Sequence, residues 1–470
     1  MKAHRMPIKA LRDLPAPPAY ALKVLGALEA AGHEAWIVGG WVRDALRGDA
    51  SHDVDVCCIA PWQESAAALR ACGLQVDETG TQHGTITAVC DGKPVEVTTY
   101  RVDGAYSDHR HPDEVRFVQD VRQDLARRDL TINAMAFHPT RGLLDPYGGR
   151  DDLVAGRIRT VGDPQTRFRE DALRILRAVR FSLRLNFEVE PCTQRALVSC
   201  APLLAQVASE RAGQEIDAIV RMGKAGRALL EQSEVMCAAL PELVAARGFD
   251  QRSVWHRYDV YEHSAHVCNA VQAYTAGLAT PELQWAALLH DMAKPACFSL
   301  DVAGHGHFFD HPRQGALMAK EIMHRLAIPT EITRPACLLI QLHDERMPAT
   351  ERAIRELLSH IGRSCPGQET SLAFSLFNLR RADALSKSPS SASRAHEIDA
   401  YARLLRTELM RGPVFSTRHL AVSGADLIRE CKMSPGPGLG MQLDMLLNAV
   451  MAGEVPNERE ALLAWLGSYA

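Results

Sequence analysis

The run Ala35-Trp36-Ile37-Val38-Gly39-Gly40-Trp41-Val42-Arg43-Asp44, followed at short range by Asp53-Val54-Asp55-Val56, constrains this chain more than any other stretch. Four apolar residues read as a buried strand running into a glycine turn. Glycines there let backbone N–H groups approach a polyphosphate closely, and Arg43 can offset its charge. Residues 53–59 read as the next strand. Side chains at i and i+2 of a strand share a face, so Asp53 and Asp55 are expected to point the same way. Two such carboxylates can hold divalent ions about 3.5–4 Å apart, which clamps an in-line displacement at phosphorus. A glycine pair alone would be an ordinary strand turn; joined to the acidic pair at this spacing it points to phosphoryl-group chemistry.

The chain has 470 residues, enough for two to four domains. Its net charge of −4 excludes a generally basic nucleic-acid coat, so RNA contact requires a local arginine patch. One candidate lies between Arg157 and Arg184. The twelve cysteines are scattered without a C-x-x-C pair, and no secretory signal is seen, which favours a reducing cytoplasm. No apolar run approaches the ~18 residues of a membrane span. To about Arg159 strands and helices alternate: Tyr20–Ala31 and Glu64–Cys72 are helical, and Thr85–Cys90 with Pro94–Tyr100 form a hairpin around Asp91-Gly92. From Phe168 onward helical periodicity dominates with almost no convincing strand. The Ser-rich run Ser386–Ser393 reads as a loop or hinge, and the tail as two amphipathic helices, Met441–Met451 and Asn457–Leu466.

Further motifs follow in order. Arg127-Arg128-Asp129-Leu130-Thr131-Ile132-Asn133-Ala134, Asp145-Pro146-Tyr147-Gly148-Gly149 with Asp151-Asp152-Leu153, Glu170-Asp171-Ala172-Leu173-Arg174, and Glu210-Arg211 with Glu215 join the Gly39–Val56 stretch within about 180 residues. The set resembles class II tRNA nucleotidyltransferases, the CCA-adding enzymes, whose family also contains bacterial poly(A) polymerases. The resemblance implies an α+β chain: a mixed α/β nucleotidyltransferase head (1–160) followed by an all-α neck (161–235), HD body (236–390) and tail (391–470). It implies Mg²⁺ at Asp53 and Asp55, the tRNA 3′ end with CTP and ATP as substrates, and nucleotide binding by Gly39, Gly40, Arg43, Arg128, Asp171, Arg174, Arg177 and Arg180. Either Arg127 or Arg128 can face the nucleotide, Asp129 can serve the fold or orient Arg128, and Asn133 can cap a turn or contact a ribose.

Phe168–Leu183 reads as one helix on which Asp171 and Arg174 are neighbours. An acceptor beside a donor fits cytosine and adenine, and leaves unpaired groups against uracil and guanine at about 1–3 kcal/mol per mismatch. The competing reading is a surface ion pair worth at most ~0.5 kcal/mol. The Gly-, Asp- and Pro-rich segment Tyr100–Pro112 resembles the loop with which the family switches from C to A. Gly80–Thr85 resembles the CCA-adding form of the hairpin. The loop, shared by CCA-adding and A-adding members, argues against CC-only addition, and the hairpin argues against poly(A) addition; full CCA addition is expected, with A-only addition next.

A second pattern, His263, His290-Asp291 and Asp383, extended by His311 and His343, is that of the HD phosphohydrolase superfamily. Leu283–Met292 reads as a helix bringing His290 and Asp291 to one metal, with Lys294 near a bound phosphate. Imidazole with carboxylate suits Mn, Fe, Ni, Co or Zn. Cyclic 2′,3′-phosphates, 2′-phosphates and nucleotide phosphoesters are the expected substrates, and a helical body without activity is the competing reading. The tail resembles the tRNA-supporting region of HD-bearing relatives, with a folding or dimer role as the alternative. A chain that is chiefly an HD phosphohydrolase with an RNA-binding head is the alternative of another class.

Overall fold

A computed structural model describes residues 15–51, 53–104, 115–389 and 392–468. Residues up to Ile219 together with Gln232–Pro241 form one unit, and Val220–Glu231 together with Glu242 onward form the other. The first is α+β and carries the main sheet. The second is built almost wholly of helices.

In the first unit β1 (Ala35–Val38), β2 (Asp55–Cys58), β3 (Gln75–Asp77), β4 (Thr85–Cys90) and β5 (Lys93–Thr99) precede a short ladder of β6 (Arg101–Asp103) and β7 (Val115–Phe117). The strands β8 (Ala136–His138) and β9 (Gly142–Leu144) follow. The main sheet has the order β3-β4-β5-β2-β1-β8-β9, with β2 and β5 parallel and its other neighbours antiparallel. All four residues of β1 are buried, as a central strand demands. Trp36, Val38, Cys57, Tyr100, Leu125 and Ala136 pack into one apolar cluster. The expected hairpin is present, and Asp91 and Gly92 both take positive φ, the requirement of its two-residue turn. Of the segment Tyr100–Pro112, residues 105–114 lie outside the described residues. The flanking register Asp103↔Val115 holds its two ends together.

Three expectations need correction. The strand begins at Asp55, and Asp53 lies in the lead-in before it, because the pairing Val38↔Asp55 is the last rung of the ladder. The helix expected over Phe168–Leu183 is two helices, Pro164–Glu170 and Leu173–Leu185, and Asp171 sits between them in extended conformation (φ −141°, ψ 106°). The Asp171 carboxylate accepts from the Leu173 N–H at 3.0 Å, a local bond that competes with helix continuation. Short strands also occur beyond Phe168. They are β11 (Glu188–Val189), which pairs in parallel with the earlier β10 (Arg157–Ile158), and the hairpin β12 (Phe298–Leu300) with β13 (Gly306–Phe308).

In the second unit the helix expected over Leu283–Met292 runs Pro281–Leu289, with His290 as its C-terminal cap. The helix Glu369–Ser386 ends where the Ser-rich run begins, and the next starts at Ala392. The tail helices span Pro437–Ala452 and Arg459–Gly467 and bury Leu446, Leu462 and Leu466 with Leu427. All twelve cysteines are free. No helix among the described residues is long and apolar enough to cross a membrane.

Candidate active sites in the two units

Antiparallel pairing sets Val38, the residue before the glycine turn, opposite Asp55, so the turn and the acidic strand end are adjacent by register. Gly39 has φ 72° and ψ −129°; a Cβ there would lie 3.1 Å from Arg128 Nη1 and 3.6 Å from Asp55 Oδ2. Glycine therefore serves both backbone and space, and Arg128 rather than Arg127 faces the turn. Burial raises the Asp55 pKa, Glu96 and Asp53 add to the rise, and Arg128 opposes it. A half-buried carboxylate crowded by like charges is what a divalent cation relieves. Glu96 is directly cross-strand from Asp55 and is absent from the sequence reading. The alternation of buried Val95 and Val97 around it is the signal that exposes it.

Behind the turn the arginines are braced by acids. Asp124, fully buried, accepts from Arg127 Nε at 2.9 Å and Arg128 Nη2 at 3.4 Å. Sequence reasoning missed Asp124, although D-x-x-R-R has the i,i+3 and i,i+4 spacing of helical ion pairs. Arg43 is buried, bonded through Nε and Nη2 to Asp44 at 2.8 Å each and through Nη1 to Asn133 Oδ1 at 2.7 Å. Asn133 in turn donates to Asp129, so it fastens the motif internally. Asp129 orients Arg177 (2.7 Å), not Arg128. Arg180 pairs with Glu215 at 2.5 Å, and both Arg177 and Arg180 lie over the Phe181 ring. The D-x-x-GG-x-x-DL turn is structural. Asp145 accepts from the Gly149 and Arg150 N–H groups, and Asp152 accepts from Thr131 and Arg159.

Asp171 and Arg174 do not bond each other through their side chains. Asp171 accepts from Arg211 at 3.1 Å, while Arg174 reaches Glu170 (2.6 Å) and the Arg127 carbonyl. The arginine patch is thus a network. Arg159 pairs with Asp152, Arg167 with Glu170 and Arg184 with Asp44 (3.8 Å).

Although burial disfavours its charge, Arg177, Asn133 and the Leu130 N–H hold the Asp129 carboxyl down at about 2. A depressed carboxyl stabilises the fold above its unfolded pKa and ceases to do so as pH falls through the folded value. Asp129→Asn is therefore expected to lower stability by about 2 kcal/mol above pH ~4, the difference from the parent vanishing near pH ~2. Paired thermal melts from pH 2 to 7 measure it; a pH-independent difference contradicts it.

In the second unit the helices Val260–Tyr274, His311–Arg325, Thr330–Leu342 and Glu369–Ser386, with the turn after Leu289, bring all six HD residues together. His263 Nε2 is 3.0 Å from Asp383 Oδ1 and 3.4 Å from Asp291 Oδ2; His290 Nε2 is 3.3 Å from Asp291 Oδ2. His311 and His343 approach Asp291 Oδ1 at 3.4 and 3.6 Å. Asp291 is therefore common to two ligand groups. The Nδ1 atoms of His290, His311 and His343 bond the carbonyls of Ala287, Phe308 and Ile340, which turns each Nε2 inward. Burial brings His263 down to about 4, leaving it a neutral ligand at physiological pH. His290 Nε2 and Asp291 Oδ2 are buried without a well-formed hydrogen bond, and Lys294 and Lys387 lie 2.7 Å from the acids. This donor set and its unsatisfied atoms fit divalent metal.

A glycine turn beside the acidic strand end at Asp55 on a mixed sheet is the arrangement of a nucleotidyl-transferring head, and residues 35–159 match the Poly A polymerase head domain. Residues 186–247 match the RNA- and SrmB-binding region of polymerase A, 260–405 the HD domain, and 392–466 domain 2 of tRNA nucleotidyltransferases. The CCA-adding enzyme of Geobacillus stearothermophilus is 32% identical over 448 residues, 95% of this chain and 96% of that relative. That of Leuconostoc mesenteroides is 30% identical over 96% of each. A solved Bacillus stearothermophilus CCA-adding enzyme in complex with CTP superposes with a TM-score of 0.70 at 29% identity, covering 97% of this chain and 98% of that one. A Thermotoga maritima CCA-adding enzyme complexed with tRNA shares the fold, with a TM-score of 0.60 at 21% identity, covering 98% of each chain. The chain belongs to the CCA-adding enzymes, a family of tRNA nucleotidyltransferases.

Proposed function

We propose that this chain adds the 3′-terminal CCA to tRNA from CTP and ATP, releasing pyrophosphate, with the 1–160 head as catalytic domain and a cytoplasmic location. The observation that carries the reading is the register that sets Asp55 beside the Gly39-Gly40 turn, with Arg128 against both. Asp53 and Asp55 hold magnesium, which when bound lowers the pKa of the attacking 3′-hydroxyl and steadies the α-phosphate. The Gly39-Gly40 backbone and Arg128 receive the phosphates. Arg43, through Asn133, keeps the Arg127–Ala134 motif in place behind them and adds positive potential. Arg177 and Arg180, held by Asp129 and Glu215, close the neck side of the pocket.

Asp171 and Arg174 select the base. Arg211 and Glu170 hold the two side chains apart, so base recognition involves exchanging these partners for the Watson–Crick edge of C or A. Replacing the pair by residues of opposite donor–acceptor order is expected to erode rejection of UTP and GTP by about 10- to 100-fold. Single-turnover incorporation with each of the four nucleotides measures it, and unchanged selection would remove the pair from base choice.

In the 236–390 body, His263, His290, Asp291, His311, His343 and Asp383 hold a transition metal (Mn, Fe, Ni, Co or Zn) that, when bound, activates water toward a phosphoester. The convergence of both ligand groups on Asp291 favours this second activity. Sequencing the 3′ ends of a tRNA transcript lacking CCA, after incubation with CTP, ATP and Mg²⁺, tests the main reading. Ends that reach CCA and stop are expected. Ends of CC alone, extension only of tRNA ending in CC, or long adenosine tails would each overturn full CCA addition.

A further inference from the structure

Beside the His–Asp cluster the second unit opens into a cavity of about 880 Å³, within the range of small-molecule sites. Its wall carries Trp255, Lys294, Arg380, Lys387 and Arg394. Three of these cations have carboxylate partners: Lys294 with Asp291 and Lys387 with Asp383, at 2.7 Å each, and Arg394 with Asp344 at 2.8 Å. Arg380 differs. It is only 7% exposed, and among the described residues no carboxylate comes within 4.0 Å of its guanidinium. Nη2 donates to the Leu342 carbonyl, and Nε is buried with no partner at all. The carbonyl end of the helix Thr330–Leu342 supplies only a fractional negative charge. Glu345 and Asp344 act on the guanidinium only from beyond ion-pair distance and do not offset its burial, so an anion entering the cavity relieves it. The planar fork of arginine matches phosphate oxygens, and the half-exposed Trp255 ring offers a stacking face to a base.

We propose that Arg380 is the anion anchor of this cavity, its unpartnered Nε–H and fork receiving phosphate oxygens of a nucleoside phosphate whose base meets Trp255. The inference rests on the reading of the adjacent cluster as a phosphoester site. Arg380 belongs to neither ligand group and lies outside the unit that carries the candidate nucleotidyl-transfer residues.

The test compares the parent chain with Arg380→Met and Arg380→Lys by calorimetric titration with inorganic phosphate and adenosine 2′-phosphate, in EDTA and in Mn²⁺. Phosphate sites elsewhere contribute equally to all three proteins. Arg380→Met is expected to weaken binding by about 30-fold while the ligand-free protein melts no lower than the parent and incorporates CTP normally. Arg380→Lys, which keeps the charge and loses the fork, is expected to weaken binding less but measurably. Unchanged affinity in both variants overturns the proposal. So does a ligand-free Arg380→Met protein that melts lower or fails to fold while Arg380→Lys binds like the parent, since Arg380 would then only brace Leu342. If Mn²⁺ changes nothing in the parent chain, the metal reading fails, and the titrations in EDTA still decide the role of Arg380.

Discussion

Replacing Asp55 by alanine is expected to lower CTP incorporation into tRNA lacking CCA by about 10³-fold or more, with tRNA affinity nearly unchanged. Asp55 stands at the first position of β2, beside the glycine turn, with Asp53 before it and Glu96 across the ladder. Burial, Glu96 and Asp53 raise the pKa of its carboxyl, and the Arg128 guanidinium opposes them. Asp55→Asn separates charge from shape: it keeps the packing, removes the repulsion, and is expected to melt at or above the parent temperature with the same loss of activity. Glu96→Gln, at an exposed position, is expected to lose less. Single-turnover rates with measured tRNA binding decide the matter, and an Asp55→Ala protein within tenfold of the parent rate would end the assignment.

The parts of this site legible in the sequence are those set by short-range geometry. The strand running into Gly39-Gly40 and the Asp91-Gly92 hairpin were legible because a short apolar run and positive-φ turns act over a few residues. Helical spacing misled at Asp171. Its carboxylate caps Leu173 locally and meets Arg211, 40 positions on, so the backbone leaves the helix where periodicity carries it through. Arg43 has one partner next to it in the chain, Asp44, and one 90 residues away, Asn133, and only the first was open to a sequence reading. Asp124 braces both Arg127 and Arg128 at a spacing that was readable, and the choice between them turns on Gly39, whose proximity to Arg128 was not. The HD ligands were legible as an ordered set. Their convergence on the two oxygens of Asp291 was not, since His263 and Asp383 meet across 120 positions.

That convergence makes Asp291→Ala the most damaging single change expected in the second unit. Oδ2 faces His263, His290 and Lys294, and Oδ1 faces His311 and His343, so one substitution disables both ligand groups. It also strips the partner from Lys294, which is 3% exposed; an uncompensated buried charge of this kind costs about 3–5 kcal/mol. Asp291→Asn retains the shape and is expected to be milder in stability while still losing metal. His263→Ala touches one group, and His311→Ala the other. If two metals bind, each histidine variant retains part of the metal content and Asp291→Ala retains none. If a single metal spans the cluster, His263→Ala and His311→Ala each empty it. Metal analysis of the purified variants, with melting curves in Mn²⁺ and in EDTA, distinguishes these cases. An Asp291→Ala protein with parent metal content and parent melting temperature would show that Asp291 binds no metal and that Lys294 does not depend on it.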